Sequence, residues 1–168
     1  MADIVKSRPS AGVAAGGSSA GGSPADEALA QAWIERYRGS GGPSLEGAEA
    51  AAAIKACAAV HFEASGVAAV IARLDGTLGD LVAFLEGEWG WKVTYDEAAG
   101  LVQADERKDY CVCPLVRLGF VDSEELCACS EGFAEALFSA ALRRPVRAKI
   151  ARSFLRDGKS CVYEIRLV

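Results

Sequence analysis

Four of the six cysteines stand as two Cys-X-Cys pairs, Cys111/Cys113 and Cys127/Cys129, with thirteen residues between them. In an extended chain alternate side chains point the same way, so each pair can present two sulfurs to one point. Four thiolates are a common zinc solution, and Cys-X-Cys pairs also ligate copper and iron–sulfur centres. Cys111, Cys113, Cys127 and Cys129 are therefore the candidate metal ligands, with zinc or an iron centre as cofactor and otherwise none. Zinc ribbons favour Cys-X-X-Cys knuckles, and burial as small hydrophobes is the competing account for these thiols. Cys57 and His61, the one histidine, lie four residues apart and form a weaker candidate ligand or thiol–imidazole pair on one helical face. Cys129 has a second reading as a nucleophile. It precedes Ser130, a good N-cap residue, and a helix start favours a thiolate through its free amides and partial positive charge. No Ser/His/Asp or Cys/His series can be assembled around it.

The elements that must position these residues follow from periodicity. Residues 7–24 are Gly, Ser, Ala and Pro with almost no large apolar side chain, so residues 1–24 read as a low-complexity tail and 25–168 as one domain. Leu29, Trp33 and Tyr37 mark a helix over 26–38, and an Ala-rich helix follows over 45–64. A short helical turn is expected over 67–74, and Thr77 is the expected cap of a helix over 78–89. Residues 91–95 and 101–104 read as a hairpin closed by Gly100, and 110–116 as a third strand carrying the first cysteine pair. Ser130 is expected to start a helix over 131–142 that Pro145 terminates.

Two final strands, 146–155 and 160–168, flank Asp157-Gly158, the residues a two-residue type I′ turn prefers. Pairing Arg156 with Lys159 sets Phe154 opposite Cys161, Arg152 opposite Tyr163, Ile150 opposite Ile165 and Ala148 opposite Leu167. Arg152 is then a guanidinium on an apolar face and needs a partner, an internal carboxylate or a ligand's, unless a bulge near Ser153 turns it to solvent. The expected fold class is α+β: N-terminal helices followed by an antiparallel sheet of four or five strands with one inserted helix and a C-terminal hairpin.

Composition narrows function. The net charge of −5, from 18 Lys+Arg and 23 Asp+Glu, gives no general attraction for nucleic acid. A basic cluster, Arg143, Arg144, Arg147, Lys149 and Arg152, reads first as a solvated sheet face. No segment has the length and apolarity of a membrane span or signal peptide, so the chain is placed in the cytoplasm, where thiols stay reduced. There is no phosphate-binding glycine loop after a strand, no paired-histidine metalloprotease motif and no nucleophile elbow.

The segments Cys111-Val-Cys113-Pro114, Leu126-Cys127-Ala-Cys129-Ser130-Glu-Gly132-Phe133 and Pro145 to Ile165, with its Gly158-Lys-Ser-Cys161 ending, resemble proteins related to the 4-vinyl reductase (hydrocarbon-binding) domains. A weaker similarity is to L-2-amino-thiazoline-4-carboxylic acid hydrolase-like proteins. The first resemblance implies an α/β sandwich whose interior holds a small hydrophobic ligand, with dimerisation through helices, and binding more than catalysis. Arg152, Phe154, Cys161 and Tyr163 are then the candidate ligand-binding residues. The expected function is a small-molecule-binding or sensor domain with a cysteine-lined site. The alternatives are a hydrolase using Cys129 or a cysteine-bound metal, and a structural metal-stapled domain.

Overall fold

The computed structural model describes residues 23–41 and 48–168, so the expected low-complexity tail, but for its last two residues, lies outside the described residues. Helix α1 (Pro24–Gly39) starts where the sequence supplies a full cap. Ser23 Oγ accepts from the Asp26 amide at 3.2 Å, the Asp26 carboxylate accepts from the Ser23 amide at 2.9 Å, and Pro24 occupies the first turn, where no amide is needed. The Ala-rich segment forms two helices, α2 (Ala48–Ala56) and α3 (Ala58–Ala64), that break at Cys57. Helices α4 (Val67–Ile71) and α5 (Leu78–Trp89) follow, the latter capped by Thr77 as expected and closed by Gly90 at φ 68°.

Strands β1 (Lys92–Asp96) and β2 (Leu101–Asp105) form the expected hairpin. The chain then makes the short helix α6 (Pro114–Arg117), a 3-10 turn at Glu124–Leu126, the long helix α7 (Cys127–Leu142), strand β3 (Val146–Arg152), the one-turn helix α8 (Phe154–Asp157) and strand β4 (Val162–Leu167). The fold is α+β, with one antiparallel sheet of order β1-β2-β4-β3.

Helix α7 joins two cores. Ala134, Leu137, Phe138 and Ala141 pack on the sheet with Val102, Ile150 and Ile165. On its other flank, residues near its start join Trp33, Ile54 and Leu115 in a helical cluster. The helices meet so closely that a Cβ on Gly132 would lie 2.6 Å from both the Ala58 Cβ and the Lys55 carbonyl oxygen. Helix α7 also guards the sheet edge. Glu131, Glu135 and Ser139 accept from the amides of Ile150, Ala148 and Val146 at 2.9, 3.1 and 3.2 Å. Four helical residues rise about 6 Å and two strand residues about 6.7 Å, so steps of four on α7 keep pace with steps of two on β3. The edge amides of β3 are thus occupied rather than open to another strand.

Three local expectations are corrected. Residues 110–116 are not a strand: Pro114 has no amide for a ladder, and the Cys113 carbonyl accepts from Val116 and Arg117 to open α6. Ser130 is not an N-cap. The 3-10 turn leaves Leu126 already helical at φ −58°, so α7 begins at Cys127 and Ser130 lies inside it. The C-terminal strands are joined by no two-residue turn. Ser153 Oγ accepts from the Arg156 amide at 3.2 Å, Asp157 accepts from the Ser153 amide at 2.9 Å, and Gly158 closes α8 at φ 62°. Asp157-Gly158 therefore ends a helical turn, and the register is two residues from that expected, with Ile150 opposite Tyr163 and Ala148 opposite Ile165. A shift of two preserves the inward face.

Candidate functional site

Where α5 ends, Gly90 reverses the chain between two tryptophans, and Trp89 and Trp91 lie 5.4 Å apart between ring centres. Phe133 of α7 reaches Trp89 at 6.4 Å and His61 of α3 at 4.6 Å, while Trp91 stacks on Tyr163 of β4 at 5.7 Å. This run of rings walls a cleft of about 550 Å³ between the start of α1, α3, the α5–β1 junction and the ends of β2 and β4. Its rim carries exposed Ala25, Ser65 and Glu88, and its depth buried Cys113, Glu106 and Tyr163. A depression of about 590 Å³ beside it is bounded by Glu86, Lys92 and Arg107, all exposed, with Trp91 as an aromatic wall.

Glu106 is the anomaly of the cleft. Val102 and Ala104 point into the core from β2, and Glu106 continues that alternation. Its amide donates to the Cys161 carbonyl at 3.0 Å, extending the β2–β4 pairing beyond the strand. The side chain is 3% exposed. Tyr163 donates its hydroxyl to Oε1 at 2.7 Å, and among the described residues Oε2 has no hydrogen-bond partner. Burial raises the Glu106 pKa, opposed by the Tyr163 hydrogen bond, the Lys108 charge and the adjacent Cys161 thiol. Tyr163 is raised as well, by burial and then by the Glu106 charge. Burial pushes His61 down to about 4, so its imidazole is neutral at pH 7. Lys108 donates from Nζ to the Trp89 carbonyl at 3.0 Å, which ties the strand exit to the end of α5.

The cysteines divide differently from the sequence expectation. Two residues on a helix are separated by about 200°, so Cys127 and Cys129, both on α7, face opposite sides rather than one point. Cys127 joins the sheet core with Cys161, and Cys129 joins the helical core with Cys57 and Cys113. Cys111, Cys113, Cys127 and Cys161 share a chamber of only about 10 Å³, adjacent to the cleft behind Tyr163. Cys129 instead accepts a hydrogen bond from Trp33 Nε1 at 3.3 Å. Among the described residues no group of three or more His, Cys, Asp or Glu side chains is arranged to hold a metal ion.

Desolvation by burial pushes Cys111, Cys113, Cys129 and Cys161 up to about 12, and raises Cys57 and Cys127. For Cys129 that is opposite to the lowering expected of a thiol before a helix cap. Cys57 and His61 also separate: Cys57 sits in the break between α2 and α3 in the helical core, and His61 faces the cleft.

Of the candidate ligand residues, Tyr163 lines the cleft and Cys161 the thiol chamber; Phe154 and Arg152 line neither. Phe154 packs on the sheet core from α8. Arg152 has the internal partner its position demanded: after a register irregularity between Ile150 and Arg152, Nη2 meets Asp105 Oδ2 at 3.2 Å and Nε donates to the Ser160 carbonyl at 2.8 Å. Glu106, Trp91 and Phe133 were not singled out as site residues. Glu106 had a legible signal, a carboxylate continuing the inward alternation of Val102 and Ala104. Arg147 and Lys149 of the basic cluster lie on the exposed face of β3, as a solvated sheet face requires. Among the described residues no helix is long and apolar enough to cross a membrane. No family model, no curated protein and no solved structure matches this chain.

Proposed function

We propose that this chain binds a small, largely apolar molecule in the cleft walled by Trp89, Trp91 and Phe133. The observation that carries the reading is a cavity of about 550 Å³ with an aromatic wall and one deeply buried carboxyl group. That volume lies within the roughly 300–1,000 Å³ of ligand pockets, and such pockets pair apolar walls with a few polar groups that orient the guest. Binding rather than catalysis fits the raised thiols, because a thiolate is the nucleophilic form and burial disfavours it throughout this set. The resemblance of the C-terminal half to hydrocarbon-binding domains supports the same reading. Six free cysteines suit a reducing compartment, and we place the protein in the cytoplasm.

The test is a titration with N-phenyl-1-naphthylamine, a neutral fluorophore that brightens in apolar surroundings. One saturable site per chain is expected, with quenching of tryptophan emission and a rise in melting temperature by mass action. Trp89→Ala removes a partly buried wall, so the variant should fold and bind at least tenfold more weakly. No saturable binding, or equal binding by Trp89→Ala, would overturn the reading.

A further inference from the structure

The cleft carries a charge pattern that an uncharged hydrocarbon does not use. Among the described residues three carboxylates line it, Asp26, Glu88 and Glu106, against one ammonium, Lys108. Asp26 is committed to the cap of α1 and lies 3.8 Å from Arg117, and Glu88 is exposed at the rim. Lys108 spends one donor on the Trp89 carbonyl. Glu106 is different: it is almost wholly buried, and its Oε2 lacks a partner among the described residues. An acceptor in that condition costs about 1–3 kcal/mol until a donor reaches it. The surrounding rings present π faces, which attract cations held within about 6 Å.

We infer that the ligand is an organic cation, an apolar body ending in a protonated amine, whose ammonium meets Glu106 Oε2 while the body lies against Trp89, Trp91 and Phe133. This inference rests on the binding reading above and specifies the class of molecule bound. A bound ammonium would hold Glu106 in its charged form, offsetting the desolvation that otherwise raises its pKa. His61 would add no repulsion, being neutral at pH 7. Lys108 would oppose the ligand's charge, and the carboxylates outnumber it. Tyr163 would keep its hydrogen bond to Oε1 throughout.

The experiment displaces bound N-phenyl-1-naphthylamine at pH 7 with 1-naphthylmethylamine, a cation, and with 1-naphthalenemethanol, its neutral analogue of nearly the same shape. The amine is expected to compete at least tenfold better on the native protein. In Glu106→Gln, which keeps shape and an acceptor but removes the charge, the preference for the amine over the alcohol should fall to twofold or less. Lys108→Met should strengthen the amine relative to the alcohol. Equal competition by the two compounds, a better alcohol, or a preference that survives Glu106→Gln would overturn the cation inference and leave the apolar cleft standing. If the probe itself finds no saturable site, both readings fall together.

Discussion

Tyr163 separates two spaces of opposite character. On one side lies the thiol chamber of about 10 Å³, scarcely large enough for one water molecule and lined by Cys111, Cys113, Cys127 and Cys161. On the other lies the cleft of about 550 Å³, with aromatic walls, a charged rim and Glu106. Val112, Cys113, Ser130 and Tyr163 border both. The chamber is filled almost completely by atoms that pack well and titrate badly, which is how a core behaves. The cleft keeps a desolvated carboxyl and unfilled volume, each a cost to folding, as the binding site we propose would. Cysteines drew attention in the sequence, yet in the fold five of the six are buried, and the cleft we propose as the site is walled by residues whose types are ordinary.

Thiol reactivity separates the two spaces most strongly. A thiol at pKa about 12 holds roughly three-thousandfold less thiolate at pH 7.5 than one at the free value of about 8.5. Iodoacetamide should therefore modify Cys129 and Cys161 of the native protein more slowly than a model thiol, by on the order of a thousandfold or more, and all six cysteines rapidly in denaturant. Fast native labelling of either would break the assignment of these thiols to the core.

Gly132 tests the junction on which both spaces depend. An added methyl would overlap Ala58 and the Lys55 backbone, so Gly132→Ala should lose about 2 kcal/mol in chemical denaturation, the overpacking cost less the helix propensity gained. A variant as stable as the parent would mean that α7 and the α2–α3 break are looser than described.

Titration sharpens the contrast. His61 is lowered in the folded state, so the unfolded chain binds the proton first and stability falls as pH drops from about 6.5 towards 4. The loss should be on the order of 2 kcal/mol, and His61→Phe should remove it from the pH profile. Glu106 has the opposite sign. Its folded pKa is raised, so its contribution is fully present below the unfolded value and is lost as pH rises through the folded one.

The two partners of the buried pair should then differ. Tyr163→Phe leaves the carboxyl without its donor and should cost about 1–2 kcal/mol, whereas Glu106→Gln removes a buried charge and should be neutral or slightly stabilising at pH 7. Thermal melts of both variants check this, and a strongly destabilised Glu106→Gln would recast Glu106 as structural.

The helix read over 26–38 was legible from its period, that over 78–89 from period and the Thr77 cap, and the β1–β2 hairpin from its turn residues, whereas Ser23 and Pro24, which start α1 two residues earlier, read as tail in the sequence. The cysteine geometry was legible only in its first half: Cys111 and Cys113 stand in non-helical chain before α6 and line one chamber, whereas Cys127 and Cys129 lie on α7, where the Glu124–Leu126 turn has already imposed helix. The last connection misled for a similar reason: Asp157-Gly158 suits a type I′ turn and a helix end equally, and Ser153 decides between them by capping α8. The cleft was hidden because its walls come from six separate segments, and only Glu106 breaks a local pattern.

The most direct measurement is a crystal structure of the protein with N-phenyl-1-naphthylamine bound. The rings of the probe should lie against Trp89, Trp91 and Phe133 with Tyr163 and Glu106 beneath them. A probe held instead in the depression between Glu86 and Arg107, or absent from a cleft filled by rearranged tryptophans, would contradict the assignment of this cleft as the binding site.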